Sequence, residues 1–354
     1  MAKPSRVKQL RVWLIGLGMV GRWLLKALQA DQEALARRYG FRATVVGAAN
    51  ARDGFIHAAD GLDLRTLQRL LADGRPISEH PGADRWPTAL DGLRATEADL
   101  LVEVSSSARD GEPGTAHMHE ALRRGIPVVT SNKWPVAMHG AELAALARDQ
   151  GASLRAESTV MSGTPVLSTL TEGLAGARPI ALRGILNATV NFTLTRIAAG
   201  LSYEAALAEA QEAGFAERDP SADTEGEDER AKLMILAGLV FGVQLGPEQV
   251  ATRGISSLTA NEVDRARSAG SPIRSVATLE PTGTDDSDRL EARVAPVALG
   301  REDPLAGIDD TLNALICRAD PVGEVTVVGP GAGPELAGQG VLSDLIALAR
   351  SLAG

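Results

Sequence analysis

From residue 11 to about 150, short apolar runs rich in β-branched residues alternate with amphipathic runs of helical period: RVWLI, VGRWLLKALQ, ATVVGAA, LLVEVS, AHMHEALRRG, IPVVTS and AELAALARDQ. Such alternation predicts parallel strands joined by crossover helices. After residue 151 the texture changes. Longer helical stretches over 202–213, 228–243 and 259–268 mix with ALRGIL and RLEARVAPVAL, which predict strands of a second sheet. Near the end, EVTVVGPGAG leads into a helix from about 335 to 352, echoing the strand, glycine turn and helix at the start. The pattern predicts an α/β parallel-sheet domain over 1–150, a second α+β domain over 151–325, and a segment over 326–354 that returns to the first. Cys317, in LNALICRAD, is expected on an apolar helical face in a packing role.

The glycine pattern makes the first domain chemically specific. Gly16, Gly18 and Gly21 form GxGxxG between the strand RVWLI and an amphipathic helix. In that context the first glycine makes the tight turn, the second admits a pyrophosphate, and the third lets helix and strand pack closely. The turn Gly16, Gly18, Met19, Val20 and Gly21 therefore predicts a Rossmann-type dinucleotide site, with the pyrophosphate on the helix amino terminus. At the end of ATVVGAAN an NAD enzyme usually places an acid on the ribose. Here Asn50 stands instead, with Arg52 two residues on. An uncharged side chain beside an arginine favours NADP, with NAD left open. Ser105 and Ser106 follow the strand LLVEV, at the sheet edge where such cofactors lie.

The second domain carries an unusual charge pattern. Seven carboxylates fall within positions 217 to 229, and Lys232 follows on a helix that runs into LMILAGLVFGV. Asp228 and Lys232, four apart, share one helix face. Acidic first turns are common because they complement the helix dipole. The sharper reading is a pocket whose carboxylates hold a substrate ammonium while a partly desolvated lysine handles a proton.

Bulk properties narrow the classes. A net charge of −9, with no basic run beyond Arg37–Arg38 and Arg123–Arg124, argues against nucleic acid as a partner. A single cysteine excludes an internal disulfide framework and fits a reducing cytoplasm. No apolar run is long enough for a membrane span or a signal sequence. His117 and His119 stand two apart on an expected helix and point to different sides, which argues against zinc there.

With Lys133 in PVVTSNKWPVA read beside Lys232, the chain resembles the homoserine dehydrogenases from about residue 11 to 348. The motifs are GLGMVG, VVTSNK, ESTVMSGTPVL, GILNATVNFTLTRI, GFAERDPSADTEGEDERAK and DPLAGIDDTLNAL with GPGAGPELAGQGVLSDL, in the family's order. The resemblance implies that Glu217 and Asp228, with Asp223 in support, bind the substrate amino group beside Thr189. It matches Lys232 to the catalytic lysine and Lys133 to a second active-site lysine that also lies on the cofactor. Gly331 and Gly333 are read either as closing over the nicotinamide or as an ordinary strand-to-helix turn. It further implies a monovalent cation such as sodium on the main-chain carbonyls of Glu157, Val160, Ser162 and Thr164. Two departures bear on this: Met161, Ser162 and Gly163 replace the usual Gly-Ala-Gly, and Asn187, Ala188 and Thr189 replace NGT.

The activity so implied is interconversion of L-aspartate 4-semialdehyde and L-homoserine, on the route to threonine and methionine. The resemblance also implies a homodimer formed through the second domain, and a small-molecule substrate with no nucleic-acid or membrane partner. The chain ends soon after the GPGAG segment, so a feedback-regulatory domain is not expected. Two rival readings are a dehydrogenase of another amino or hydroxy acid and a catalytically silent dinucleotide-binding regulator. Retention of Lys133, Glu217, Asp228 and Lys232 together speaks against the silent one.

Overall fold

The computed structural model describes residues 7–282 and 289–352, so the outermost ends of the expected first and last segments lie outside the described residues. The chain divides into two compact units, Met1–Thr159 with Pro334–Gly354, and Val160–Gly333. The first contains β1 (Lys8–Ile15), α1 (Met19–Tyr39), β2 (Phe41–Asn50), β3 (Gly54–His57), α2 (Leu64–Ala72), β4 (Asp84–Trp86) and α3 (Ala89–Ala95). It continues with β5 (Leu100–Glu103), α4 (Gly114–Arg123), β6 (Val128–Thr130), α5 (Lys133–Asp149), β7 (Leu154–Arg155) and the start of α6 (Ser158–Met161). The second holds β8 (Arg178–Ile185), α7 (Ala188–Ala198), α8 (Tyr203–Glu212), α9 (Ser221–Thr224), α10 (Glu227–Leu236), β9 (Val250–Thr252) and α11 (Ala260–Ala269). It closes with β10 (Ile273–Pro281), β11 (Leu290–Ala298), β12 (Leu312–Asp320) and β13 (Gly323–Pro330), after which α12 (Pro334–Ser351) belongs to the first unit.

The first unit's sheet runs β4-β3-β2-β1-β5-β6-β7. Strands β2, β1, β5, β6 and β7 are parallel, whereas β3 and β4 turn back antiparallel at one edge. Helix α1 forms because Leu24, Leu25, Leu28, Leu35 and Ala36 recur at helical spacing and bury one stripe. It stops at Gly40, whose left-handed φ of 77° lets its amide return to the carbonyl of Ala36. Helix α12 covers the same layer, with Val341, Leu342, Leu345 and Leu348 in one core with Leu24, Leu25 and Leu28.

The second sheet runs β13-β12-β8-β10-β11-β9 and is antiparallel except for β11 against β9. Two expectations are corrected here. Cys317 lies in strand β12, not on a helix; five consecutive buried residues of an interior strand mimic a buried helical face. Cys317 is 2% exposed, and burial pushes the pKa of its thiol up. The strand of EVTVVGPGAG, expected with the returning segment, is β13, which pairs with β12 across a two-residue connection, so only α12 returns. Among the described residues no helix is long and apolar enough to cross a membrane.

Candidate active site

In the first unit, a cavity of about 650 Å³ opens at the carboxyl ends of β1, β2 and β5, where the strand order reverses direction around β1. Gly16, Gly18, Asn50, Arg52, Ser105 and Ser106 line it. The three glycines do different work. Gly16 takes φ 103°, and a Cβ there would stand 2.4 Å from the backbone amide of Ser105. A Cβ on Gly21 would stand 2.1 Å from the carbonyl of Gly16, so helix α1 can approach the turn only without it. A Cβ on Gly18 would meet nothing within 4 Å. That open space, beside a helix start with no side-chain cap, is what an anionic pyrophosphate requires. Met19 is 75% exposed on the first turn, next to the half-buried Val20.

Beneath the cavity lies a polar hub absent from the sequence reading. Glu103, at the end of β5, is fully buried. Its carboxylate accepts hydrogen bonds from Ser105 Oγ and from Asn132 Nδ2 at 2.8 Å, and His117 Nδ1 stands 3.6 Å away. Asn132 Nδ2 also donates to Ser107 Oγ at 2.7 Å. The hub ties Ser105 on the cavity wall to the residue before Lys133, which opens α5 half-buried. His117 is 6% exposed and lines the cavity, while His119 is exposed. The available signal was an acid inside the apolar strand LLVEV.

The second unit assembles the other predicted residues. Helix α10 begins after Gly226, at φ 79°, with Glu227, Asp228 and Glu229 in its first turn, so the dipole-complementing reading of the acids holds as well. Lys232, 6% exposed, donates to Asp228 Oδ2 at 2.8 Å and to the carbonyl of Leu186 at 2.5 Å. An ammonium has three N–H groups, so one is left for a substrate oxygen. Asn187, at the start of α7, donates to Asp223 Oδ1 at 2.7 Å and to Asp228 Oδ2 at 2.9 Å while its own Oδ1 caps Val190. Asp223, Asp228 and Lys232 are thus brought together through an amide that the sequence reading did not single out. Thr189 Oγ1 donates to the carbonyl of Phe215 at 2.6 Å, and the Phe192 and Phe215 rings meet at 5.0 Å. Glu217 is exposed on the loop that follows, its carbonyl accepting from Gln211, and no described contact joins its carboxylate to the Lys232 group.

Of the residues expected on a cation, Val160 is buried and Ser162 takes a left-handed φ of 51°. The carbonyl of Thr164 accepts from Val166 at 2.9 Å. The backbone amide of Glu157 donates to Asp344 Oδ2 at 2.9 Å. Gly331 packs on Asn313 inside the second unit, where a Cβ would stand 2.2 Å from the amide carbon.

Glu229 adds an unforeseen ionisable group. It is 1% exposed, accepts from Ser275 Oγ at 2.7 Å, and has no partner for Oε1. Burial, reinforced by Asp228 and opposed by the Ser275 hydrogen bond and Lys232, pushes its pKa up to about 7. Between the unperturbed value of 4.5 and about 7 the folded protein holds a proton that the unfolded chain releases, so stability falls as pH rises through that window. Glu229→Gln is therefore expected to gain about 2–3 kcal/mol relative to the parent on going from pH 5 to pH 8. Urea unfolding of both proteins at the two pH values checks this; an unchanged difference would count against a buried proton.

A dinucleotide cleft at the switch point of a parallel sheet, with a buried lysine–carboxylate group in a second unit, defines a nicotinamide-dependent oxidoreductase. The chain belongs to the homoserine dehydrogenase family: models of the homoserine dehydrogenase domain and of its NAD-binding domain match residues 165–346 and 16–157. It is an oxidoreductase acting on a CH–OH group. It is 36% identical over 341 residues to an NAD(+)-dependent homoserine dehydrogenase of Pseudomonas canavaninivorans, covering 96% of each chain. A solved structure from Archaeoglobus fulgidus, provisionally assigned as a homoserine dehydrogenase, superposes with a TM-score of 0.83 at 31% identity, covering 96% of this chain and 99% of that one. A hyperthermophilic archaeal homoserine dehydrogenase in complex with NADPH gives a TM-score of 0.78 at 29% identity, covering 96% and 97%.

Proposed function

We propose that this enzyme interconverts L-aspartate 4-semialdehyde and L-homoserine, on the route to threonine and methionine. The observation that carries the reading is the group formed by Asn187, Asp223, Asp228 and Lys232. A substrate ammonium finds two carboxylates there, and the free N–H of Lys232 meets the oxygen at the reacting carbon. Bound NAD(P)(H) supplies the hydride chemistry. As the carbonyl becomes an alcohol its oxygen gains a proton, which Lys232 donates; in the reverse direction the same nitrogen accepts it. Lys133 orients the substrate or assists, Glu217 adds a carboxylate from its loop, and Thr189 and Gly331 complete the walls.

The uncharged Asn50 and Arg52 on the cavity wall admit NADP(H), and NAD(H) is also accepted. The family's carbonyl chemistry suits a monovalent cation on the loop of Glu157, Val160, Ser162 and Thr164. We further propose a cytoplasmic homodimer without nucleic-acid or membrane partners. Spectrophotometry of NADPH oxidation with aspartate semialdehyde tests the activity. Turnover is expected, and its absence with both NADPH and NADH would remove the reading.

A further inference from the structure

The turn between β2 and β3 is built around a carboxylate that the cofactor reading did not use. Asn50 Oδ1 accepts from the amides of Arg52 at 3.0 Å and Asp53 at 2.7 Å, and Asn50 Nδ2 donates to Asp53 Oδ2 at 2.8 Å. Asp53, its side chain 5% exposed, also accepts from the amide of Ile77 at 3.3 Å. Against it lies the guanidinium of Arg52: Nε donates to Oδ1 at 2.8 Å and Nη2 to Oδ2 at 3.2 Å. The same guanidinium reaches the carbonyls of Gly74 and Arg75, through Nη1 at 3.5 Å and Nη2 at 3.3 Å.

Bidentate recognition of a phosphate needs a free edge of the guanidinium and an uncompensated charge. Arg52 has neither in full. Its Nε/Nη2 edge is committed to Asp53, and of its five N–H groups one on Nη1 remains. The hydrogen bond from Arg52, with that from Asn50, holds the Asp53 carboxyl below its ordinary range, so the carboxylate is ionised at neutral pH and the pair carries no net charge. Arg52 nevertheless lines the dinucleotide cavity with its side chain 63% exposed.

We propose that Asp53 is a specificity-determining residue that acts through Arg52: by occupying the guanidinium, it keeps the enzyme near indifference between a ribose bearing a 2′-phosphate and one bearing a 2′-hydroxyl. The proposal rests on the reading of this cavity as the site of the cofactor's adenosine half.

The test is the ratio of kcat/KM for NADPH to that for NADH, measured with aspartate semialdehyde. In the unaltered enzyme the ratio should lie within about tenfold of unity, and a preference beyond about 100-fold for either overturns the proposal whether or not any variant folds. Asp53→Asn keeps acceptors for Asn50 and Ile77 while removing the charge, and should raise the ratio on the order of tenfold. A merely structural role would depress both cofactors together and leave the ratio still. The rise should vanish when Arg52→Ala is added, and Arg52→Ala alone, which leaves the Asp53 charge uncompensated, should lower the ratio. A ratio that falls or stays fixed in Asp53→Asn, or a rise that survives loss of Arg52, overturns the role of Asp53 and leaves the dinucleotide reading standing. Failure of the unaltered enzyme to bind either dinucleotide in a fluorescence titration overturns both.

Discussion

Lys232→Ala is expected to lower kcat by about 10²–10⁴-fold while leaving dinucleotide affinity within about twofold. The size follows from what the ammonium does: it is a buried cation paired with the Asp228 carboxylate, and its spare N–H can pass a proton to an oxygen. Removing it also takes away the ion pair of Asp228 Oδ2, so some loss of stability accompanies the loss of rate. The two effects separate experimentally. Turnover measured well below the melting temperature reports chemistry, and fluorescence titration with NADPH reports the first unit. A variant that folds and retains full turnover would remove Lys232 from the proton path. A variant that loses dinucleotide binding in parallel would indicate damage wider than one ammonium.

Alanine at two of the three turn glycines should produce opposite patterns. At Gly21 the added Cβ would stand 2.1 Å from a backbone carbonyl, which has no flexible side chain to yield. Gly21→Ala is therefore expected to cost about 2–4 kcal/mol of stability as α1 is pushed from the sheet, with cofactor affinity falling as the turn distorts. At Gly18 the same methyl meets nothing within 4 Å, so unfolding should be unchanged or slightly better. Its space is the one assigned to the pyrophosphate. Gly18→Ala should weaken dinucleotide binding by about tenfold or more without changing the melting temperature. Thermal melts and dinucleotide titrations of both variants check the pair; normal binding by Gly18→Ala would mean that the pyrophosphate lies elsewhere.

The features legible in the sequence are those written in local periodicity. Helix α1, with its leucines three and four apart and Gly40 at its end, is readable from 21 consecutive residues. So is the glycine turn, whose three positions each meet the constraint their spacing implies. The pairing of Asp228 with Lys232 is an i,i+4 contact on one helix and needs no tertiary information.

What the sequence could not supply depends on residues far apart in the chain. Asn187 reaches Asp223 and Asp228 across 36 and 41 positions, and in the sequence it resembles an ordinary helix cap. Glu103 becomes a hub only when β6 brings Asn132 alongside β5. The antiparallel edge of β3 and β4 was missed because four- and three-residue strands carry almost no periodicity. The β12 run, buried along five successive positions, has no alternation to distinguish strand from helix.

Read alone, the chain determined the two kinds of sheet, the dinucleotide turn, the acidic segment and its lysine, because each is set by side chains a few residues apart. Only the tertiary structure decided which polar groups share a proton or a charge: Asn187 with its two aspartates, Glu229 with Ser275, Asp53 with Arg52 and the amide of Ile77. Burial and charge neutralisation are properties of neighbours in space. They arise only once the sheets have brought distant strand ends together.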